Sequence, residues 1–307
     1  MRIDFIEIKP KNYKRKVVLI FILAMLFIAV FSMLGIYWAK IYNANLIAKR
    51  KDRLNNIYTI NNNEKNNPKE QIIGNIDHRE QVKNALVPVY TENSKKEMNN
   101  IYNTKTKVAY LTFDDGPSTA VTPLILDVLK EQNIKATFFV LGSNVNKNPD
   151  IVKRAYLEGH YIANHGYSHS YSKIYSKAEN VLSEYNKTEK AIKKAIGNSE
   201  YSSHLFRFPG GYTGGKYEKT KQKAGNLLNE NNIAYIDWNV LTGDAEGANT
   251  KEKIMQNIEK HTKDKGNIVV LMHDASTKIL TYETLNEVIN YLRNQGYTFD
   301  NFYKVMS

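Results

Sequence analysis

The sequence predicts an α/β fold, built from βα units around a parallel sheet or barrel, on three observations. From Lys107 onward, short β-rich apolar runs alternate with stretches whose apolar residues recur at helical spacing, the pattern of parallel strands joined by helices. Polar clusters fall where the predicted strands end, and in (β/α) barrels chemistry gathers at the C-terminal face of the strands. Neither a Gly-x-Gly-x-x-Gly turn nor a P-loop occurs, which disfavours a nucleotide-binding sheet. The strand count comes near that of a barrel but falls short of it.

Taken in order, residues 1–16 are polar and end in Lys14-Arg15-Lys16. Val17–Trp38 is uncharged and almost wholly apolar. As a helix it reaches about 33 Å, enough to cross a bilayer core. The run is longer than the apolar region of a cleaved signal peptide, and Tyr37-Trp38-Ala39-Lys40 resembles an interfacial anchor. The spacing therefore predicts a single transmembrane helix over 17–38. Five cationic residues from Lys9 to Lys16 crowd its start, which places residues 1–16 in the cytoplasm and the bulk of the chain outside. Residues 39–106 are rich in Asn and Lys with few apolar residues. Such a stretch buries too little to offset its ordering entropy and reads as a stalk or linker.

The remainder, 107–307, is the predicted catalytic domain. Strands are expected at 108–113, 136–140, 161–163, 205–208, 234–240 and 267–272. Helices are expected at 119–132, 149–158, 177–196, 217–231, 251–263 and 282–295.

Composition sets bounds on partners. The chain has 307 residues, no cysteine and a formal net charge of +12, so disulfide and thiolate chemistry are excluded. Lysines are dispersed and no aromatic-basic interleaving stands out. No nucleic-acid partner is expected. The charge reads mainly as a solvated surface, leaning toward an anionic envelope. Oligomeric state is not legible.

The chemistry centres on Thr112-Phe113-Asp114-Asp115-Gly116. Adjacent carboxylates repel, and a cation or an Arg nearby keeps one ionised; read alone, the stretch is equally a strand-end turn. His165 and His169 lie four apart, a spacing that points two imidazoles the same way on a helix or tight turn. With one carboxylate they form a two-His-one-carboxylate set with open positions. That set suits Zn²⁺ carrying a hydrolytic water, and also iron(II). Arg207 can fork onto a carboxylate, and paired with Asp114 it would keep that group ionised as a base. In Pro209-Gly210-Gly211 the absence of side chains lets a main-chain N–H approach an oxyanion. His273 ends a strand and can act as a general acid with a carboxylate beside it, which could be Asp244 or Asp274. Trp238 and Leu271 flank these positions. Residues of these types on strands are mostly core, but facing a pocket they would hold a small apolar group such as a methyl.

Five motifs in order make the chain resemble the polysaccharide deacetylases with a NodB-homology domain, the fourth carbohydrate esterase family. They are Thr112–Gly116, His165-Gly166-Tyr167-Ser168-His169, Arg207-Phe208-Pro209-Gly210, Trp238 through Asp244, and Leu271-Met272-His273. Gly166 stands where Ser or Thr is common, and Gly210 replaces a frequent Tyr. The resemblance covers about 107–297. It implies a distorted (β/α) barrel and a divalent metal, Zn²⁺ first, with Co²⁺ or another divalent ion as substitutes, held by Asp115, His165 and His169. Asp114 would be the base tethered by Arg207, His273 the acid oriented by Asp244, and Gly210 N–H an oxyanion donor. Trp238 and Leu271 would bound the acetyl methyl group. The implied reaction is removal of acetyl groups from sugars. With the anchor and stalk, the expected substrate is peptidoglycan N-acetylglucosamine. Chitin oligomers, an exopolysaccharide, O-acetylated xylan, or glycan binding without turnover are the alternatives.

Overall fold

The computed structural model describes residues 87–306. The predicted membrane helix and the stalk as far as residue 86 lie outside the described residues. Among the described residues no helix is long and apolar enough to cross a membrane.

Eight strands form one sheet: β1 (Val108–Asp114), β2 (Thr137–Val140), β3 (Tyr161–Asn164), β4 (Leu205–Phe206), β5 (Ala234–Tyr235), β6 (Val240–Leu241), β7 (Ile268–His273) and β8 (Thr298–Asp300). Every pairing is parallel, in the order β5-β4-β3-β2-β1-β7-β6. The expected α/β class is present as a curled, open sheet, a distorted rather than closed barrel. β5 and β6 are its two edges. The run expected as one strand over 234–240 is two short strands, one at each edge: Ala234 and Tyr235 pair with β4, and Val240 and Leu241 with β7. The residues between them bridge the opening of the sheet. A single apolar run conceals this, because composition does not report which neighbour a strand pairs with.

β7 occupies one edge of β1 along Ala109–Asp114. β2 and β8 share the other, β2 at 112–114 and β8 at 108–110. β8 is too short to be legible as a period-2 run.

Strand alternation separates two apolar layers. Ala109, Leu111 and Phe113 of β1 and Val270 and Met272 of β7 pack outward with residues of α2 (Thr122–Glu131), α4 (Pro149–Leu157) and α9 (Ile279–Asn294). Tyr110, Phe139, Tyr161, Ala163, Leu205 and Val269 point inward, onto Phe302, Tyr303, Val305 and Met306 of the C-terminal segment. A third cluster joins β4 to α6 (Ala178–Ile196) and α7 (Glu218–Glu230).

The folded unit also takes in part of the stretch assigned to the stalk. α1 (Glu92–Asn100) is N-capped by Thr91, whose side chain accepts the Ser94 N–H. Met98 and Ile101 enter the inner cluster, and Val89 N–H donates to Met306 O at 2.8 Å. The helix is polar apart from this face, so its composition resembles the linker before it. α3 (Gly142–Lys147) and α5 (Tyr171–Ile174) are likewise additions to the expected elements, and α8 (Lys251–Thr262) completes the helices of the described residues.

Candidate metal centre and acid–base pair

The parity that fills the barrel interior also aims the polar side chains. Along β1, Tyr110, Thr112 and Asp114 share the inner face; Val269, Leu271 and His273 do so on β7. Tyr161, Ala163 and then His165 continue the inner face of β3, and Leu205 and then Arg207 that of β4. Apart from Leu271, the apolar members lie in the inner cluster, and the last residue of each series projects at the C-terminal rim. Asp115 would point away by the same alternation, but its φ of 75° turns the chain back toward the rim. Asn144 Nδ2 holds that turn through Asp115 O at 2.8 Å.

Asp115, His165 and His169 each offer a ligand atom within 4.8 Å of the others. His165 Nε2 and His169 Nε2 lie 3.6 and 3.3 Å from Asp115 Oδ1. That oxygen is buried and, among the described residues, accepts no hydrogen bond. His165 Nδ1 sits 2.8 Å from Arg207 O. A carbonyl only accepts, so Nδ1 carries the proton and Nε2 presents a bare lone pair. Burial drives the His165 pKa down to about 3, with the neighbouring His169 and Arg207 acting the same way against Asp115; the imidazole is neutral, as a ligand must be. A buried orphan oxygen facing lone pairs is costly, and one divalent cation among them satisfies the set. The residues fit the expected ion. The geometry suits a divalent metal without naming it.

Asp114 lies beside this set, its Oδ2 3.8 Å from His165 Nε2. Arg207 is fully buried and holds it through Nη1 to Oδ1 at 2.9 Å. The contact is single-pronged. Nη1 also donates to Thr112 Oγ1 (2.7 Å), Nε to Ile236 O (3.2 Å) and Nη2 to Asp237 O (3.1 Å). The guanidinium lies 3.9 Å above the Phe139 ring. Burial raises the Asp114 carboxyl above the usual aspartate range, opposed by Arg207 and His273; a cation among the neighbouring ligands would add to the downward pull.

On the adjacent strand β7, where His273 is the register partner of Asp114, His273 Nδ1 lies 2.8 Å from Asp244 Oδ1, and His273 N–H donates to Asp244 Oδ2 at 2.8 Å. Thr281 Oγ1 donates to the same Oδ2 at 2.7 Å, and Lys278 Nζ to Asp244 O at 2.7 Å. Burial pulls the His273 imidazolium down, but Asp244 more than offsets it and the pKa rises to about 9. Of the two candidate partners, Asp244 is the one placed there. Asp274 points to the outer side, where Thr122 Oγ1 donates to its Oδ2 at 2.6 Å.

Gly210 has φ +74°, and its N–H finds no acceptor among the described residues. A Cβ there would lie 2.7 Å from Tyr171 Oη. Tyr171 is 41% exposed, its ring 5.4 Å from that of His169. Sequence reasoning missed Tyr171; its position two residues after the second imidazole was the available signal. It also missed Thr112, Thr281 and Lys278, which act only through contacts distant in sequence. Trp238 is half-buried beside Gly211 and 5.8 Å from the Arg207 guanidinium. Leu271 is buried, two residues before His273 on the same strand face.

Residues 101–229 match the family described as polysaccharide deacetylase. The chain is 37% identical over 189 residues to the peptidoglycan-N-acetylglucosamine deacetylase PgdA of Listeria monocytogenes, a match covering 62% of this chain and 36% of that one. It thus spans about a third of that relative's length. To a peptidoglycan-N-acetylglucosamine deacetylase of Bacillus cereus it is 34% identical over 229 residues, covering 71% and 80% of the two chains. Among solved structures, a Streptococcus mutans CE4 esterase superposes with a TM-score of 0.62 at 33% identity, covering 70% of this chain and 92% of that one.

Proposed function

The chain belongs to the polysaccharide deacetylase family, and on that footing we propose that it is a membrane-anchored, outward-facing hydrolase that removes N-acetyl groups from peptidoglycan N-acetylglucosamine. The observation that carries the chemistry is the set of Asp115, His165 and His169 with the Arg207-tethered Asp114 beside it and the Asp244-paired His273 on the neighbouring strand. The substrate assignment rests on the Listeria and Bacillus relatives, on the predicted anchor and on the basic chain.

An amide is a poor electrophile and an amine a poor leaving group. When bound by Asp115, His165 and His169, a divalent cation, Zn²⁺ by preference, supplies Lewis-acid polarisation of the acetyl carbonyl and lowers the pKa of water toward about 7. Asp114, tethered by Arg207, takes the proton of the attacking water. Gly210 N–H, without an acceptor among the described residues, donates to the developing oxyanion. His273, kept protonated by Asp244, delivers a proton to the departing nitrogen. Trp238 and Leu271 bound the methyl group. Tyr171, exposed and braced against His169, offers an apolar face to a sugar ring at the mouth of the site.

Acetate release from purified peptidoglycan, set beside chitin oligomers, an acetylated exopolysaccharide and acetylxylan, tests this reading. The expected result is chelator-sensitive release that is fastest on peptidoglycan. Preference for another glycan would move the substrate and keep the chemistry, and release that survives chelation would overturn the metal-dependent reading.

A further inference from the structure

The loop from His165 to His169 carries two of the three ligand residues, yet it has little regular structure and a glycine at its second position, with φ +81°. Something other than local secondary structure must fix the distance between the imidazoles. We propose that Glu184 on α6 is the positioning residue that sets it; this rests on the reading of Asp115, His165 and His169 as a metal centre.

Glu184 is only 8% exposed, although it is an acidic residue on the second turn of a surface helix. Its Oε2 accepts the N–H of Tyr167 at 2.8 Å and of Ser168 at 2.7 Å; its Oε1 accepts Ser168 Oγ at 2.9 Å. Both central amides of the loop therefore converge on one oxygen. Two adjacent N–H groups pointing at one acceptor define a tight concave turn, and that turn makes His165 and His169 face the same side. Ser168 Oγ in turn accepts Ser170 N–H at 3.3 Å, extending the hold past His169. No other side chain among the described residues accepts the Tyr167 N–H.

The front of the loop is held by the same helix through a second acid. Asn164, the last residue of β3, receives Gly166 N–H on Oδ1 at 3.0 Å and donates through Nδ2 to Glu189 Oε1 at 2.9 Å. Helix α6 thus grips the front and the middle of the ligand loop. A Cβ at residue 166 would stand 3.6 Å from Glu184 Oε2 and 3.1 Å from Ile174 Cδ1. The tighter of these contacts is with Ile174, and the positive φ favours glycine there.

The test measures Zn²⁺ dissociation constants by competition with a chromophoric chelator, alongside the Tm of each metal-free variant, in the wild type, Ser168→Ala, Glu184→Gln, Glu184→Asp and Glu184→Ala. Removing an outer partner of a metal ligand typically weakens metal affinity about 10–100-fold, and Glu184→Ala is expected in that range. Ser168→Ala keeps both amide bonds and should lose less than about threefold. Glu184→Gln can keep its carbonyl oxygen where both amides converge, whereas Glu184→Asp keeps the charge but falls short by one methylene. Gln is therefore expected to bind Zn²⁺ more tightly than Asp, and raising Zn²⁺ should restore acetate release in the Asp variant. An Asp variant as tight as Gln would mean the charge acts rather than the geometry, and would overturn the proposal, as would wild-type affinity in the Ala variant. A wild type that binds Zn²⁺ but releases no acetate would sink the proposed function alone.

Discussion

Replacing Asp244 by Asn preserves the shape of the cradle around His273 and removes its charge. In the native chain burial pulls the imidazolium down, yet the carboxylate 2.8 Å from Nδ1 outweighs it and the pKa moves from 6.5 to about 9. With an amide there, burial remains and only the lesser attractions of Asp114 and Asp115 oppose it, so the group should return to about 6.5 or below. At pH 7.5 the protonated fraction then drops from about 97% to under about 10%. An acid that must carry a proton loses at least about tenfold in rate from this cause alone. The assay is kcat for acetate release between pH 5 and 10. The wild type should hold its rate to about pH 9, and the variant's alkaline limb should lie below pH 7, with activity recovering as pH is lowered. An alkaline limb that stays put would refute the acid role of His273, whatever the loss at neutral pH.

Asp114→Asn should abolish acetate release while the Zn²⁺ dissociation constant stays within about threefold, since removing a base touches no ligand; wild-type turnover would reassign the base. Gly210→Ala places a methyl group against Tyr171 Oη at a φ of +74°, which costs about 1–3 kcal/mol of backbone strain; kcat should fall at least about tenfold without loss of metal, and an unchanged kcat would count against the oxyanion donor. Burial pushes the Asp274 carboxyl up to about 7. The folded state therefore keeps a proton that the unfolded chain gives up, and its contribution to stability falls as pH rises from about 4 to about 7. Asp274→Asn should flatten that decline in Tm, and an identical slope in both proteins would exclude the group.

The sequence carried the parts of the fold that depend on local pattern. β1 and β7 were legible because their β-rich apolar runs are long enough to resolve, and α6 because nineteen residues keep a helical apolar stripe. The candidate ligand, base and acid residues were legible because all but His169 lie at or just past a strand end, so one-dimensional strand ends map onto one rim. What escaped depends on pairing in space. The split of 234–240 follows from the two edges of an open sheet. α1 escaped because only Ser94 and Met98 of its nine residues are buried. The single-pronged Arg207 contact escaped because nothing in the sequence says that carbonyls of Ile236 and Asp237 would claim its other donors. Glu184 and Tyr171 escaped for the same reason: a glutamate on an amphipathic helix and a tyrosine in a short loop look like ordinary surface residues until the ligand loop is laid against them.

Anomalous diffraction from crystals grown with Zn²⁺ and collected across its absorption edge tests the central claim most directly. The expected result is one strong peak about 2.0–2.2 Å from a carboxylate oxygen of Asp115 and from Nε2 of both His165 and His169. A peak elsewhere, or one that leaves any of those three atoms beyond bonding distance, would contradict it.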